Sequence, residues 1–241
     1  MKTIKKLSLL LFVSTILASC SVDMFNRIEG NRNVISKKRK VNDNFSKIKA
    51  STGLDVYITQ GNKLSITVEA DENLHDIIKT EIDGDKLSIY AEKSIWRAKA
   101  SKVFVTVKNL EEIKATSGSD VYSEGVLKVT DINVSTSSGA DMKVELDAAS
   151  VDASSSSGSD LRIKGTTNQF YGTATSGSST NAYGLKSKTA TVKASSGADL
   201  TIYVTESINA RASSGGDIRY KGNPEKVSKR SSSGGDIYSR S

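Results

Sequence analysis

Ser137-Ser-Gly-Ala-Asp-Met142, Ser156-Ser-Gly-Ser-Asp-Leu161, Ser195-Ser-Gly-Ala-Asp-Leu200, Ser213-Ser-Gly-Gly-Asp-Ile218 and Ser232-Ser-Gly-Gly-Asp-Ile237 are near-copies of one turn. Ala115-Thr-Ser-Gly-Ser-Asp-Val121 precedes them, and Ser176-Gly-Ser-Ser-Thr180 is a degenerate copy in which Ser179 replaces the Asp. Marked by glycine, the copies fall at Gly118, Gly139, Gly158, Gly177, Gly197, Gly215 and Gly234, a step of 18 to 21 residues. A constant step means one structural unit repeated.

The flanks of each turn alternate in a fixed phase. Seven, five and three residues before the glycine stand Ile132, Val134, Thr136; Val151, Ala153, Ser155; Phe170, Gly172, Ala174; Ala190, Val192, Ala194; and Ile208, Ala210, Ala212. Three and five residues after it stand Met142, Val144; Leu161, Ile163; Thr180, Ala182; Leu200, Ile202; and Ile218, Tyr220. Period two with one apolar face predicts half-buried strands on both sides of each turn. One strand pair cannot bury its own apolar face, so the units must stack. The expected fold is therefore all-β, a coiled superhelix of about 19-residue coils. Seven rungs at the ~4.8 Å strand spacing make a rod ~34 Å long. The inward positions are small, which predicts a flattened coil with a thin core.

Each turn needs glycine where the chain reverses with positive φ. The acid two residues on, Asp120, Asp141, Asp160, Asp199, Asp217 or Asp236, is expected to fold its carboxylate onto turn amides. Ile48, Ala50, Gly53, Asp55, Val56 and Ile58 repeat these positions, so a first rung starts near Phe45.

Residues 1–19 read as a targeting segment. Lys2, Lys5 and Lys6 precede an apolar run from Leu7 to Leu17 that is too short to span a bilayer, and Leu17-Ala-Ser-Cys20 follows. That ending resembles a bacterial lipobox, which implies lipidation of Cys20, the only cysteine. With it gone there is no intramolecular disulfide. Removing residues 1–19 lowers the net charge from +7 to +4. Residues 20–44 hold Arg27, Arg32, Lys37, Lys38, Arg39 and Lys40. The plainer reading is a solvated tether; the alternative is contact with an anionic membrane face. An exported lipoprotein implies no nucleic-acid partner. Residues 45–113 form an N-terminal β portion, with strands at Leu64–Glu69 and Lys102–Lys108, a helical turn near Glu72–Ile78, and a hairpin about Asp83-Gly84. Residues 114–241 form the repeat superhelix.

Catalytic chemistry is sparse. The single histidine, His75, is expected on the surface, and the serines lack a nucleophile elbow. One histidine and no free cysteine exclude a zinc site of the usual type. The Asp column suggests calcium, but its spacing differs from the known nonapeptide repeat, so turn capping is the reading taken and no metal or cofactor is expected. Outward positions four past the glycine read Tyr57, Tyr122, Lys143, Arg162, Asn181, Thr201, Arg219 and Tyr238. If aligned, they make a strip able to stack on sugars or meet an acidic polymer, though a solvated sheet face has the same composition. Trp96 is a further candidate contact, read here as a lid over a sheet end. Tyr238 to Ser241, with Arg240, is the expected polar cap on the last strand edge.

Phe45-xx-Ile48, Gly53-Leu-Asp-Val-Tyr-Ile58, Val68-Glu-Ala-Asp-Glu-Asn-Leu74, Gly84-Asp-Lys-Leu-Ser-Ile-Tyr90 and the Ser-Ser-Gly-x-Asp turns together resemble the autotransporter-adhesin head (GIN) domain family across residues 41–241. The resemblance implies a right-handed β-superhelix of pectin-lyase-like kind on a cell-surface protein, with an adhesive role. The expectation is a non-enzymatic envelope lipoprotein, anchored at the outer membrane of a two-membrane bacterium and presenting its long faces to a glycan or protein. Two alternatives stand beside it, a carbohydrate-active enzyme and a structural envelope protein. The enzyme reading requires acids near Lys or Arg in a groove.

Overall fold

The computed structural model describes residues 27–41 and 43–240; Cys20 and the leader lie outside them. Its strands are β1 (Arg27–Glu29), β2 (Val34–Arg39), β3 (Lys47–Ala50), β4 (Asp55–Gln60), β5 (Ser65–Asp71), β6 (Ile78–Asp83), β7 (Lys86–Ala91), β8 (Ser94–Trp96), β9 (Ser101–Val107) and β10 (Glu112–Ala115). The repeat region supplies the long strands β11 (Asp120–Thr136), β12 (Asp141–Ser155), β13 (Asp160–Ala174), β14 (Ser179–Ser195) and β15 (Asp199–Ser213), then β16 (Asp217–Lys221), β17 (Lys226–Ser231) and β18 (Asp236–Arg240). Sixteen strands share one sheet wound into a solenoid, and β1 pairs with β8 apart from it.

One strand shows how a coil is made. In β12, Met142, Val144, Leu146 and Ala148 are buried; Ala149 and Ser150 both lie outside the core; Val151, Ala153 and Ser155 are buried again. Two outward residues in succession slip the alternation by one position, so the strand rounds a corner and starts a second side. β13 slips likewise at Asn168 and Gln169. Each coil thus has two sides, joined at one edge by this slip and at the other by the glycine turn. Neighbouring coils pair in parallel, with Asp141 opposite Asp160 and Val151 opposite Phe170, a coil of 19 residues.

The turns differ from expectation in one respect. Positive φ is shared between the glycine and the residue before it: Ser138 has φ 54° and Gly139 68°, Ser157 54° and Gly158 67°. The amide of Ala140 donates to the carbonyl of Ser137 at 3.2 Å, closing a four-residue turn of the type that takes two left-handed residues. The turns also bond to one another. Gly139 donates to Ser157 at 3.2 Å, Gly158 to Ser176 at 3.1 Å and Gly177 to Ser196 at 3.0 Å, so the row of turns is a ladder along one edge.

Of the described residues, those before β11 join this solenoid by a detour. β3 and β4 make a coil that pairs with β10 and β11 above it; β7 and β9, later in sequence, pair in parallel with β3 and β4 below it. Antiparallel strands then close this end, β6 on β7 and β5 and β2 on β9 and β5. The segment expected to be a solvated tether therefore contains two strands. β2 is held because Val34 and Ile35 are half-buried and the Arg39 guanidinium donates to the carbonyls of His75 and Ile78 at 2.6 and 3.2 Å. His75, expected on the surface, is buried beneath it with Nε2 3.1 Å from the Ile35 carbonyl.

The core is thin and matched in shape. A Cβ on Gly172 would lie 2.5 Å from Cε1 of Phe170 and 3.0 Å from Cδ1 of Leu200, so the glycine makes room for the one phenylalanine of the repeat region. Beside the turn edge the interior is hydroxyl-lined: Ser155 Oγ meets Thr180 Oγ1 at 2.7 Å and Ser178 Oγ at 2.9 Å. At the last coil the inward positions change character. Register places Lys229 opposite buried Ala210 and Ser231 opposite buried Ala212, and Lys229 Nζ lies 4.8 Å from the Tyr220 ring. The cap on this end is Lys229, whereas Tyr238 and Arg240 continue the outward rows.

Candidate functional site

Strand register turns sequence positions into rows running along the solenoid. The row four residues past the glycine is unbroken: Tyr57, Tyr122, Lys143, Arg162, Asn181, Thr201, Arg219 and Tyr238 pair in that order on successive coils. The sequence missed its first member, Phe104, which pairs with Tyr57. Tyr57 stacks on Phe104 at 5.1 Å and on Tyr122 at 5.3 Å between ring centroids, and Lys143 Nζ lies 5.5 Å from the Tyr122 ring. Stacking along the axis uses up the faces of these rings. Edges, hydroxyls and cations are what the row leaves open, a surface whose chemistry suits hydrogen bonds and charge more than ring stacking.

The acid row lies two residues nearer the turn. Asp55, Asp120, Asp141, Asp160, Ser179, Asp199, Asp217 and Asp236 follow one another in register. Among the described residues, no turn amide donates to these carboxylates. The turn is capped instead by the residue before the acid where that is serine: Ser119, Ser159 and Ser178 are buried, and their Oγ atoms accept from the amides of Thr116, Ser156 and Thr175 at 3.1 to 3.2 Å. A side chain one residue past the glycine points into the coil and can reach back; one residue later it points out.

Stacked acids perturb one another. Burial, then the charges of Asp141 and Asp55, hold the Asp120 carboxyl above its ordinary range, and burial does the same for Asp55. At the other end Arg219 bridges Asp199 at 2.7 Å and Asp217 at 3.1 Å, which joins the acid row to the basic one. Among the described residues, no three His, Cys, Asp or Glu side chains converge as a metal site would require.

A third row, six past the glycine, escaped the sequence reading. Glu145 and Lys164 form an ion pair at 2.8 Å, and Lys221 lies 5.0 Å from the Tyr203 ring and 5.4 Å from that of Tyr183. Counting two residues further from each glycine finds most of it. A groove of about 1360 Å³ also runs along the corner edge, opposite the glycine turns, with Asp131, Asp147, Asp152, Lys128 and Lys186 in its lining. Nothing in the sequence marked this edge, because the slip that makes it uses ordinary polar residues. Trp96 is not the lid expected of it: it ends β8, is 44% exposed, and carries the Arg97 guanidinium 4.0 Å from its ring.

Comparison with known proteins agrees with the architecture. A putative adhesin from Bacteroides fragilis NCTC 9343 superposes with a TM-score of 0.81 at 22% identity, covering 88% of this chain and all (100%) of its own. A putative adhesin from Parabacteroides distasonis ATCC 8503 gives 0.74 at 21% identity, over 89% of this chain and 100% of that one. A putative lipid binding protein from the same organism gives 0.71 at 20% identity, again over 89% and 100%. At these identities the likeness shows the fold. No curated protein matches the chain. The family described as "Putative auto-transporter adhesin, head GIN domain" matches residues 44–224, and the chain belongs to that family.

Proposed function

We propose that this protein is a non-enzymatic binding module of the adhesin kind, held at the cell envelope by a lipid on Cys20 and meeting a glycan or protein partner along its outward rows. The observation that supports this reading is the row from Phe104 through Tyr57, Tyr122, Lys143 and Arg162 to Arg219 and Tyr238. It sets aromatic hydroxyls and cations at the strand spacing along one face. Such a face offers many weak contacts in series to an extended partner, and their sum gives affinity without a deep pocket. The structures named adhesins share the fold, and the family's name carries the same role.

The carbohydrate-active reading draws on the corner groove, which brings acids near lysines as that reading demands. Its lining holds five carboxylates, Glu111, Asp131, Asp147, Asp152 and Glu206, against three lysines, Lys128, Lys186 and Lys188. An excess of carboxylates repels the acidic polysaccharides on which such enzymes act. The test is one preparation carried through two assays. Purified chain from residue 21 is applied to a glycan and surface-protein array and incubated in parallel with uronate polymers. Binding without turnover, reduced about tenfold by Tyr122→Ala with Arg162→Ala, is the expected outcome. Turnover would transfer the function to the groove, and silence in both assays would leave a structural envelope role.

A further inference from the structure

We propose that the β1–β8 end of the molecule is a membrane-docking surface: Trp96 enters the headgroup layer of an anionic phospholipid bilayer while Arg97, Lys99, Lys93 and Arg27 meet its phosphates. β1 and β8 form their own two-stranded sheet, with Glu29 opposite Trp96, and the Gly30 amide donates to the Trp96 carbonyl at 3.3 Å. An exposed tryptophan on so small a sheet is ordinarily mobile, but this one is anchored from below. The buried Asp71 carboxylate accepts from the amides of Arg32 at 2.9 Å, Lys99 at 3.1 Å and Ala100 at 3.1 Å, in the segments that follow β1 and β8. Gly30 packs so close that a Cβ there would sit 2.0 Å from Asp71 Oδ2. The ring is thus presented in a fixed place, and docking it loses little conformational freedom.

The chemistry around it suits an anionic interface. Arg27, Arg32, Lys93, Arg97 and Lys99 are exposed, and among the described residues none closes an ion pair within 4.0 Å. The acids of the same two segments are Glu29 and Glu92, the latter drawn to Lys79 at 3.5 Å. An amphipathic ring flanked by long cationic side chains is the composition that settles at the headgroup level. Chain length adds a geometric reason, which rests on the lipid-anchor reading above. Cys20 is seven peptide steps from Arg27, at most ~24 Å of extended chain, so a lipid on Cys20 keeps β1 and its partner β8 close to the membrane. Docked by this end, the solenoid directs its C-terminal coils away from the bilayer and leaves the long rows open to a partner.

Trp96 is the only tryptophan, so its emission reports on this site alone. The test uses the mature chain with Cys20→Ser, which cannot carry the lipid, mixed with vesicles of equal parts phosphatidylglycerol and phosphatidylcholine or of phosphatidylcholine alone. The expected result is sedimentation with the anionic vesicles only, weakening with added salt, accompanied by a shift of the emission to shorter wavelength. Arg97→Ala with Lys99→Ala, both exposed, should lower partitioning about 30-fold with an unchanged circular dichroism spectrum. Absence of sedimentation, or sedimentation with unshifted emission, would overturn the proposal; the second result would place the contact on other cations such as Lys38. Lipid attachment is measured separately, by fatty-acid labelling of the wild type against Cys20→Ser in bacteria, so failure of the anchor and failure of the docking surface give different results.

Discussion

Each glycine turn places two residues in the left-handed region, yet only one of them is always glycine. Around Gly139 there is open space, so the requirement is the backbone angle alone. Gly139→Ala should therefore cost about 1 kcal/mol in urea unfolding, and Gly139→Asn about half of that, because asparagine tolerates this region. Equal losses would show that the turn demands space instead. The acid row offers a second test at this scale. Asp120 has its carboxyl raised by burial and by Asp141 and Asp55, so the fold favours its protonated form. Stability from this group is present below its ordinary value of 3.8 and lost as the pH climbs through the raised folded value. Asp120→Asn should thus stabilise the protein near pH 7 by about 0.5 kcal/mol, a small effect because solvent screens a half-buried side chain. The advantage should vanish near pH 3, and an equal gain at both pH values would refute the account. Asp71 has the opposite sign. Burial pushes it up, but the amides of Lys99, Arg32 and Ala100 outweigh this and hold it below the ordinary range, so its contribution is lost on acidification.

Among the elements, β13 shows what strand patterning can and cannot disclose. Phe170, Gly172 and Ala174, with Leu161 and Ile163, were assigned to the inward face from alternation alone, and all five are buried there. Alternation is reliable here because parallel stacking repeats the same demand on every coil. The partnership of Phe170 with Gly172 was not legible, since alternation marks both as inward without showing that the ring lies over the neighbour two residues on, where Leu200 also closes in from another strand. Gly172→Ala should destabilise by roughly 1–3 kcal/mol through overpacking, and Phe170→Leu added to it should recover part of the loss. Additive losses would mean the two do not share the space. The corner at Asn168 and Gln169 was equally hidden, having neither glycine nor proline to announce it, and with it went the groove. β2 was concealed by its own lysines, which read as a tether. The acid row was found but its task was misassigned, because one residue's difference in position decides whether a side chain faces the turn or the solvent.

In the whole molecule, both ends of the open ladder carry an inward lysine. Register sets Lys37 of β2 opposite buried Val68, as it sets Lys229 of β17 opposite buried Ala210. A charge directed toward the core side of a terminal strand deters a second chain from adding to that edge. Lys229→Ile would extend the apolar row of Val192 and Ala210, beside the rows that Val227 and Ile237 already extend, and it should produce a concentration-dependent dimer in analytical ultracentrifugation while the native chain stays monomeric at that end. A monomeric variant would show that other features close the edge. In the repeat region each long strand is bonded to the coil before it and the coil after it. Were its first coil held and its last coils pulled, as the proposed function would have it, such an array would yield one loop at a time from the pulled end. Each released coil lengthens the protein while the remainder keeps its grip, so the same ladder that sets the shape would let the molecule give ground under shear without letting go.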